Sequence, residues 1–215
     1  MISDFNQKKI VNQKSGYLLT KRVIDIVGAL AGLILLSPFV LIVAILIKMQ
    51  DPRGPIFFKQ QRIGKNGQTF YMYKFRSMVT NAEELLKDLL EKNEISGAMF
   101  KMKDDPRITK IGKFIRKTSI DEFPQLWNVM KGEMSLVGPR PPLPREVEEY
   151  DDYDKQRLTV TPGCTGLWQV SGRNSLGFKE MVELDLKYIS ERNIWMDIKV
   201  ILKTFLVLFG SKNAF

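Results

Sequence analysis

Residues 23–47 read VIDIVGALAGLILLSPFVLIVAILI, an apolar run interrupted only by Asp25 and by the pair Ser37-Pro38. Drawn as one straight helix, the run would span roughly 37 Å, more than the hydrocarbon core of a bilayer, which is about 30 Å thick. It is too long for the core of a signal peptide, and no small-residue cleavage site follows it. The run therefore predicts a helix embedded in a membrane.

The flanks of this run and its central proline bear on how the helix sits in the bilayer. Proline removes an amide donor and favours a kink, and positive charges favour the cytosolic side. Basic residues flank both ends of the run: Lys8, Lys9, Lys14, Lys21, Arg22, Lys48, Arg53, Lys59 and Arg62. The pattern favours a re-entrant helix that is broken at Ser37-Pro38 and keeps both ends in the cytosol. An ordinary single-pass anchor that tolerates the proline is the alternative. Asp25 is interpreted as an interfacial group or as a partner of Lys21 or Arg22.

The overall composition limits both the partners and the chemistry. The chain has 215 residues and a formal net charge of +9, which suits nucleic acid, anionic lipid or phosphorylated substrates alike. It contains no histidine, so mechanisms that need an imidazole base or ligand are excluded. A single cysteine, Cys164, excludes an internal disulfide and a cysteine zinc cluster. Any acid, base or nucleophile must therefore be a carboxylate, lysine, tyrosine or hydroxyl.

Beyond the apolar run, the pattern predicts a small α+β domain that is mostly helical. Strands are expected at residues 56–58, 69–75 and 134–137, with a polar turn at 60–67 and a loop at 93–105. Helices are expected at residues 81–92, 108–117 (with Ile111, Phe114 and Ile115 inward), 123–130, 176–192 and 194–209.

These elements divide the chain into four predicted parts. They are a polar segment at 1–20, the re-entrant membrane helix at 21–50, a cytosolic catalytic domain at 51–192 and a C-terminal amphipathic helix at 193–215. The last helix is apolar, with Lys199 and Lys203 one turn apart, which is typical of a helix lying in the bilayer interface. A buried core helix fits its composition equally well.

Two adjacent carboxylates lie in the stretch KFIRKTSIDEFPQLWNVMKGEMSLVGPRPP, residues 113–142. Asp121 and Glu122, called the dyad below, could hold a divalent cation and leave one carboxylate free as a nucleophile. They could also cap a helix, since Ser119 and Glu122 match a capping box. With Asp121 as the N-cap instead, Pro124 falls at the third helical position, where its missing amide costs nothing. Capping and phosphate chemistry are compatible, because a helix N-terminus attracts anions.

Several basic residues lie in or beside turns containing Gly, Pro or Ser, where phosphate-binding groups are common. They are Lys59, Arg62, Lys74, Arg76, Arg107, Arg116, Arg140 and Arg173. Together with the dyad and the membrane helix, they indicate an anionic substrate handled at the bilayer surface. The alternative without catalysis is a membrane-tethered scaffold that binds anionic lipid or nucleic acid through its positive charge.

Five motifs resemble those of the bacterial sugar transferases, the small monotopic polyprenyl-phosphate phosphoglycosyl transferases. They are KQQRIG at 59–64, KFRSM at 74–78, DEFPQLWNV at 121–129, SLVGPRP at 135–141 and PGCTGLWQV at 162–170. The resemblance covers nearly the whole chain. It departs from the family pattern at Trp127, Cys164 and Trp168, none of which belongs to the dyad.

The resemblance implies transfer of a sugar-1-phosphate from a UDP-sugar to undecaprenyl phosphate with release of UMP, the initiating step of surface polysaccharide or glycoconjugate synthesis. It implies that Asp121 attacks the sugar-linked phosphate to give a phosphosugar-enzyme intermediate, which the lipid phosphate then attacks. It also implies that Glu122, together with Asp121, holds Mg²⁺. A conventional glycosyl transferase, which would release UDP, is the enzymatic alternative. The identity of the sugar stays open.

The same resemblance implies the remaining site residues and partners. Substrate binding is expected at Lys59, Arg62, Lys74, Arg76, Arg107, Arg116, Arg140, Pro141, Gln169 and Arg173. The helix break falls on Ser37 and Pro38. The expected partners are a UDP-sugar, undecaprenyl phosphate, inner-membrane lipid at the cytosolic face and a second copy of the chain in a homodimer, with no nucleic acid. The multi-pass domain that precedes this region in longer relatives is not expected.

Overall fold

The computed structural model describes residues 15–92, 102, 104–172 and 176–210. The helices are α1 (Ser15–Gln50), α2 (Ala82–Leu86), α3 (Lys110–Lys117), α4 (Gln125–Lys131), α5 (Pro144–Glu148), α6 (Phe178–Glu191) and α7 (Ile194–Gly210). The strands are β1 (Phe57–Ile63), β2 (Thr69–Phe75), β3 (Ser135–Val137) and β4 (Gly163–Thr165). β1 and β2 form an antiparallel hairpin, and β3 and β4 form a short parallel pair. The predicted class, mostly helical with short strands, is confirmed.

The hairpin corrects one prediction. The strand expected at 56–58 runs on to Ile63, and the polar turn expected at 60–67 is correspondingly shorter. The reversal is made by Asn66 and Gly67, both at positive φ (56° and 78°), a conformation that Asn and Gly tolerate. Polar side chains at the end of β1 hid the strand, because strand prediction relies on apolar alternation.

The helices follow the sequence pattern with two differences. The helix expected at 81–92 is α2 followed directly by a 3₁₀ turn, Lys87–Lys92. In α3, Ile115 is fully buried as expected, but Phe114 is 54 % exposed rather than inward. The buried residues of this short helix are Gly112 and Ile115, so its buried face is narrow and leaves Phe114 outside it. The loop expected at 93–105 lies largely outside the described residues.

The long helix α1 passes through Ser37 and Pro38 as one element. Pro38 has no amide to donate to the carbonyl of Ile34, and the Ser37 hydroxyl donates to that carbonyl instead, at 2.8 Å. The hydroxyl therefore satisfies the carbonyl that proline leaves unpaired, and the re-entrant path expected at this pair stays a prediction. α1 is long and apolar enough to cross a membrane, by length and composition.

One side of α1 packs along the rest of the protein. Buried or half-buried positions recur every three or four residues at Lys21, Asp25, Ala29, Gly32, Leu36, Val40, Val43 and Ile47. The other side exposes the large apolar residues Val23, Val27, Leu30, Ile34, Leu35, Phe39, Leu41, Ile42 and Ile45. A surface of this extent is unusual in a protein surrounded by water and is suited to contact with lipid.

Polar contacts hold the N-terminal part of α1. Asp25 accepts hydrogen bonds from the Ser135 hydroxyl at 3.0 Å and the Leu136 amide at 2.9 Å. Its expected partnership with Lys21 or Arg22 is therefore wrong. Both cations have other roles, since Lys21 pairs with Asp197 of α7 at 3.1 Å, and Arg22 donates to two carbonyls at the end of α4.

Apolar contacts hold the C-terminal part of α1. Val43 and Ile47 are buried in one cluster with Phe75 of β2 and Ile115 of α3. Both ends of the apolar run therefore contact the same folded domain, which carries the dyad.

Candidate active site

The dyad lies in a single 3₁₀ turn, Ile120–Glu122, between α3 and α4. Ser119 enters this turn at φ 55°, in the left-handed region, and α4 begins at Gln125 with Pro124 as its N-cap. The prediction that Asp121 is the N-cap is therefore wrong, because Asp121 lies within the 3₁₀ turn and Pro124 takes the N-cap position. The capping box of Ser119 is also not formed by its side chain. Asp121 is thus not engaged in starting a helix.

Asp121 is a buried carboxylic acid, with 8 % of its surface exposed. Burial raises its pKa to about 6, and the charge of Glu122 adds to this effect, while Lys74 and Arg116 act in the opposite direction. Within the described part of the chain, no other side chain donates a hydrogen bond to it or forms an ion pair with it. Asp121 is thus a poorly solvated carboxyl group whose hydrogen bond comes from its own backbone amide rather than from another side chain.

Glu122 has a more open position beside it. The Lys74 ammonium donates to Glu122 Oε1 at 2.9 Å, and the Glu122 side chain is 36 % exposed. Because a half-exposed ion pair adds little stability, this contact serves chiefly to hold Lys74 beside the dyad. Arg116 at the end of α3 supplies the second positive charge that acts on Asp121.

Asn128 positions these groups relative to one another, and the sequence reading missed it. It is fully buried; its side-chain oxygen accepts from the Tyr73 amide at 3.0 Å, and its amide nitrogen donates to the Tyr71 carbonyl at 2.7 Å. These bonds fix α4 to the strand that carries Lys74. A lone amide side chain within the apolar stretch LWNVM was the available signal, since buried polar groups need partners.

A second group of charges surrounds Glu146 of α5. Arg140 pairs with Glu146 at 3.0 Å, and Arg62 donates to the Pro141 carbonyl at 2.9 Å. Burial, with the repulsion of Arg140, lowers the pKa of Arg62 to about 9, and the negative charges of Glu146 and Glu122 oppose this. Arg62, Arg140 and Pro141, all expected at the site, therefore form one group whose field reaches the dyad.

Two of the expected cations have acidic partners of their own. Arg76 pairs with Asp51 at 2.9 Å, just after α1, and Arg107 pairs with Asp105 at 2.6 Å. Both guanidinium groups are largely buried in these contacts. Their role in substrate binding stays a prediction.

The remaining expected residues lie in different surroundings. The Lys59 ammonium lies 5.7 Å from the centre of the Tyr73 ring. The side-chain nitrogen of Gln169 donates weakly to the Cys164 carbonyl at 3.5 Å, and its buried side-chain oxygen has no partner in the described part of the chain. Arg173 lies outside the described residues.

The donor groups at the dyad suit a magnesium ion that is shared with a phosphorylated ligand. The described residues contain no group of three or more His, Cys, Asp or Glu side chains able to hold a metal. Mg²⁺ is usually bound through one or two carboxylates, substrate phosphates and water. Asp121 and Glu122 fit that pattern as the protein's share of the ligands.

Comparison with known proteins gives consistent results. A family model described as "Bacterial sugar transferase" matches residues 16–211. The galactosyl transferase CpsE of Streptococcus agalactiae serotype III (strain NEM316) is 54 % identical over 202 residues, which cover 92 % of this chain and 44 % of that protein. The undecaprenyl-phosphate galactose phosphotransferase of Salmonella typhimurium (strain LT2) is 45 % identical over 213 residues, 97 % of this chain and 44 % of that protein.

A shorter relative is matched over most of its length. The exopolysaccharide production protein ExoY of Sinorhizobium fredii (strain NBRC 101917 / NGR234) is 40 % identical over 201 residues, covering 92 % of this chain and 88 % of that protein. The chain spans less than half the length of the two preceding relatives.

Proposed function

The chain belongs to the bacterial sugar transferase family, and from this premise we propose that it transfers a sugar-1-phosphate from a UDP-sugar to undecaprenyl phosphate and releases UMP. One relative is named an undecaprenyl-phosphate galactose phosphotransferase, which supports this acceptor and this transferred group. The observation that carries the proposal is Asp121, a buried carboxylate without a side-chain partner in the described part of the chain, beside the charges of Lys74 and Arg116.

Asp121 acts as the nucleophile in two displacements at one phosphorus atom. Its carboxylate oxygen forms a bond to the sugar-bearing phosphorus, and the bond from that phosphorus to the bridging oxygen breaks, so that UMP leaves with the electron pair. The phosphate of the acceptor then attacks the same phosphorus and expels the carboxylate. Poor solvation favours this reactivity, because little water must be removed from the attacking oxygen.

The groups around Asp121 neutralise charge during both steps. Lys74, held by Glu122 at 2.9 Å, and Arg116 face the negative charge that spreads over the phosphoryl oxygens. Asp121 and Glu122 would hold Mg²⁺, which supplies further charge neutralisation of the phosphates when bound. Arg62 interacts electrostatically with Glu122, and Arg62 and its neighbour Arg140 are the candidates for the nucleotide phosphate.

The membrane arrangement that fits this chemistry is monotopic, at the cytosolic face of the bacterial inner membrane. The two ends of the apolar run contact one domain, through Lys21 and Asp197 at one end and through Ile47 at the other. A helix that crossed the bilayer would carry its ends to opposite faces, about 30 Å apart. These contacts therefore support a path that enters and leaves on one side. Labelling of single cysteines placed at the two flanks tests it, since a single crossing exposes one flank to an external reagent.

The helix α7 is suited to lie in the bilayer interface beside α1. Its buried side includes Val200 and Asp197, while Trp195, Leu202, Phe205 and Leu206 are exposed. The ammonium of Lys199 lies 5.4 Å from the Trp195 ring centre. Aromatic and basic side chains together are typical of the headgroup region, which favours the interfacial alternative over a buried core helix. The homodimer and the exclusion of nucleic acid stay predictions.

Identification of the released nucleotide tests the proposed function. Purified chain in lipid nanodiscs is incubated with undecaprenyl phosphate, Mg²⁺ and a panel of UDP-sugars that begins with UDP-galactose, UDP-glucose and UDP-N-acetylgalactosamine. We expect UMP in equal amount to the lipid product for at least one donor. Release of UDP would indicate a conventional glycosyl transferase. No nucleotide release from any donor, with salt-sensitive lipid binding, would favour the scaffold.

A further inference from the structure

A cavity of about 280 Å³ lies between α1 and α4, outside the dyad itself. Leu33, Leu36 and Val40 line it from α1, and Leu126 and Trp127 line it from α4. None of the described residues that line it carries a charge. An apolar cavity of roughly 150 Å³ admits a benzene molecule, so this one has room for about ten carbon atoms.

The lining of the cavity includes residues that adjoin the dyad in the chain. Phe123 and Pro124 line it and directly follow Glu122. A molecule lying against these two residues is therefore next to the turn that carries the dyad.

The α1 wall of the cavity belongs to the centre of the apolar run. The residues that form it lie between positions 32 and 40, and their neighbours Leu35 and Phe39 are exposed on the opposite side of the helix. With α1 embedded in the bilayer, this wall lies at the depth of the acyl chains. Trp127 and Phe57, both partly exposed, form the rim.

The charges around the cavity suit an apolar chain with an anionic end. The ammonium groups of Lys59 and Lys131 lie 5.7 and 5.8 Å from the centre of the Tyr73 ring, and Lys74 lies on the same strand. Lys59 and Lys131 therefore lie beside one residue of the lining, while the lining itself is apolar. This combination of an apolar space and neighbouring positive charge favours an apolar chain with a phosphate end.

We propose that the cavity between α1 and α4 binds the first isoprene units of the polyprenyl phosphate acceptor, about two units counted from the phosphate. The inference rests on the proposed function, because that function supplies the prenyl phosphate. It adds a binding site for the prenyl chain of the acceptor. It also predicts how acceptor length affects binding: isoprene units beyond the second lie outside the cavity and contribute little to it.

Two matched substitutions in α1 test the proposal. Leu36→Trp fills the cavity, whereas Leu35→Trp makes the same change on the exposed side of the helix, where Leu35 is 72 % exposed. The full chain in nanodiscs is assayed with prenyl phosphates of one, three and eleven isoprene units. The burst of UMP formed from UDP-sugar without any acceptor is measured beside it, as a check that each variant folds and uses the donor.

We expect Leu36→Trp to raise KM for the acceptors of three and eleven units by about tenfold or more, because their apolar surface no longer fits. The one-unit acceptor, which has a single unit to place in the cavity, should change less than the longer acceptors. All acceptors should change less than twofold with Leu35→Trp. The burst should be unchanged in both variants. Equal KM values in Leu36→Trp and Leu35→Trp would overturn the proposal, while failure of the unaltered chain to release UMP would overturn the proposed function.

A direct label covers the case in which Leu36→Trp does not fold. A prenyl phosphate of three units with a diazirine on its second unit is photolysed with the unaltered chain. We expect label in the peptide that contains residues 123–127, with competition by undecaprenyl phosphate and not by phosphatidylglycerol. Equal competition by both lipids would make the cavity a general lipid site, and label confined to the exposed side of α1 would place the chain elsewhere. Either result contradicts the proposal.

Discussion

Asp121 and Asp185 are two buried carboxylic acids with opposite surroundings. Burial raises the pKa of both to about 6. Asp185 is fully buried, and its Oδ2 accepts a hydrogen bond from Arg157 Nε at 2.8 Å and lies 2.7 Å from Arg157 Nη2 in an ion pair. Its Oδ1 has no hydrogen-bond partner in the described part of the chain. Arg157 in turn donates to the Tyr150 hydroxyl at 2.7 Å. Asp121 has the same perturbed pKa, yet the described part of the chain gives it no such partner.

The difference shows which feature identifies a reactive group. A raised pKa reports burial, and burial is shared by a structural ion pair and by a nucleophile. The two acids differ in whether they have an ion-pair partner. Asp185 pairs with Arg157, a buried cation that has no access to water. Asp121 instead lies in a turn with cations near it and keeps some access to solvent. Asp121 is therefore assigned to chemistry and Asp185 to stability.

The largest expected effect comes from exchanging the two acids for amides. Asp121→Asn should lower turnover by about a thousandfold or more, because the nucleophile is removed. Asp185→Asn should leave turnover per folded molecule within about threefold. Steady-state UMP release, normalised to the folded fraction, measures both. Similar losses in the two variants would remove the distinction between the acids.

The second prediction concerns stability. Asp185→Asn leaves the buried charge of Arg157 without its counter-charge and should lower the free energy of unfolding by roughly 3–5 kcal/mol. Denaturant unfolding at pH 7.5 measures this loss. The double variant Arg157→Met with Asp185→Leu is the control, since removal of both charges should restore much of it. No recovery in the double variant would show that the loss is due to packing alone.

The third prediction is that Asp121 costs stability at neutral pH. Its pKa is raised in the folded chain, so folding favours the protonated acid, and stability falls as pH rises from about 4 through 6. Asp121→Asn should therefore raise the free energy of unfolding at pH 7.5 by roughly 1–3 kcal/mol and change it little at pH 4. Unfolding midpoints at the two pH values give the comparison. A variant less stable than the parent at pH 7.5 would mean that Asp121 has a stabilising partner.

The smallest expected effect is a shift in the ionisation of Asp121 itself, followed by carboxyl-carbon NMR of the chain without Mg²⁺ or donor. The pKa of Asp121 is raised to about 6 in the unaltered chain. Glu122→Gln removes a repelling charge and should lower this pKa, while Lys74→Met removes an attracting charge and should raise it. Shifts in the same direction for the two variants would contradict the assignment of the titrating group to Asp121.

Local patterns in the sequence were sufficient for part of this account. The apolar run, the hairpin strand at 69–75, the last two helices and the dyad itself are continuous stretches whose composition or spacing predicts them. The motif resemblance added the roles of Asp121 and Glu122.

The hydrogen-bond and ion-pair partners of the charged side chains could not be predicted, because these contacts join residues that are far apart in the chain. Asp25 binds Ser135 and the Leu136 amide rather than the cations beside it in sequence. Arg76 and Arg107 resemble phosphate ligands in the sequence, and each has an acidic partner in the fold. The apolar cavity requires α1 and α4 to meet, which no local pattern indicates.

The position of covalent attachment tests the central claim most directly. The chain is incubated with UDP-sugar that carries a labelled β-phosphate, without acceptor, and then digested and sequenced by mass spectrometry. We expect one phosphosugar per chain on Asp121, removed by undecaprenyl phosphate and not formed by Asp121→Asn. No adduct, an adduct on Glu122, or labelling that persists in Asp121→Asn would contradict the claim that Asp121, the buried acid without an ion-pair partner, is the nucleophile.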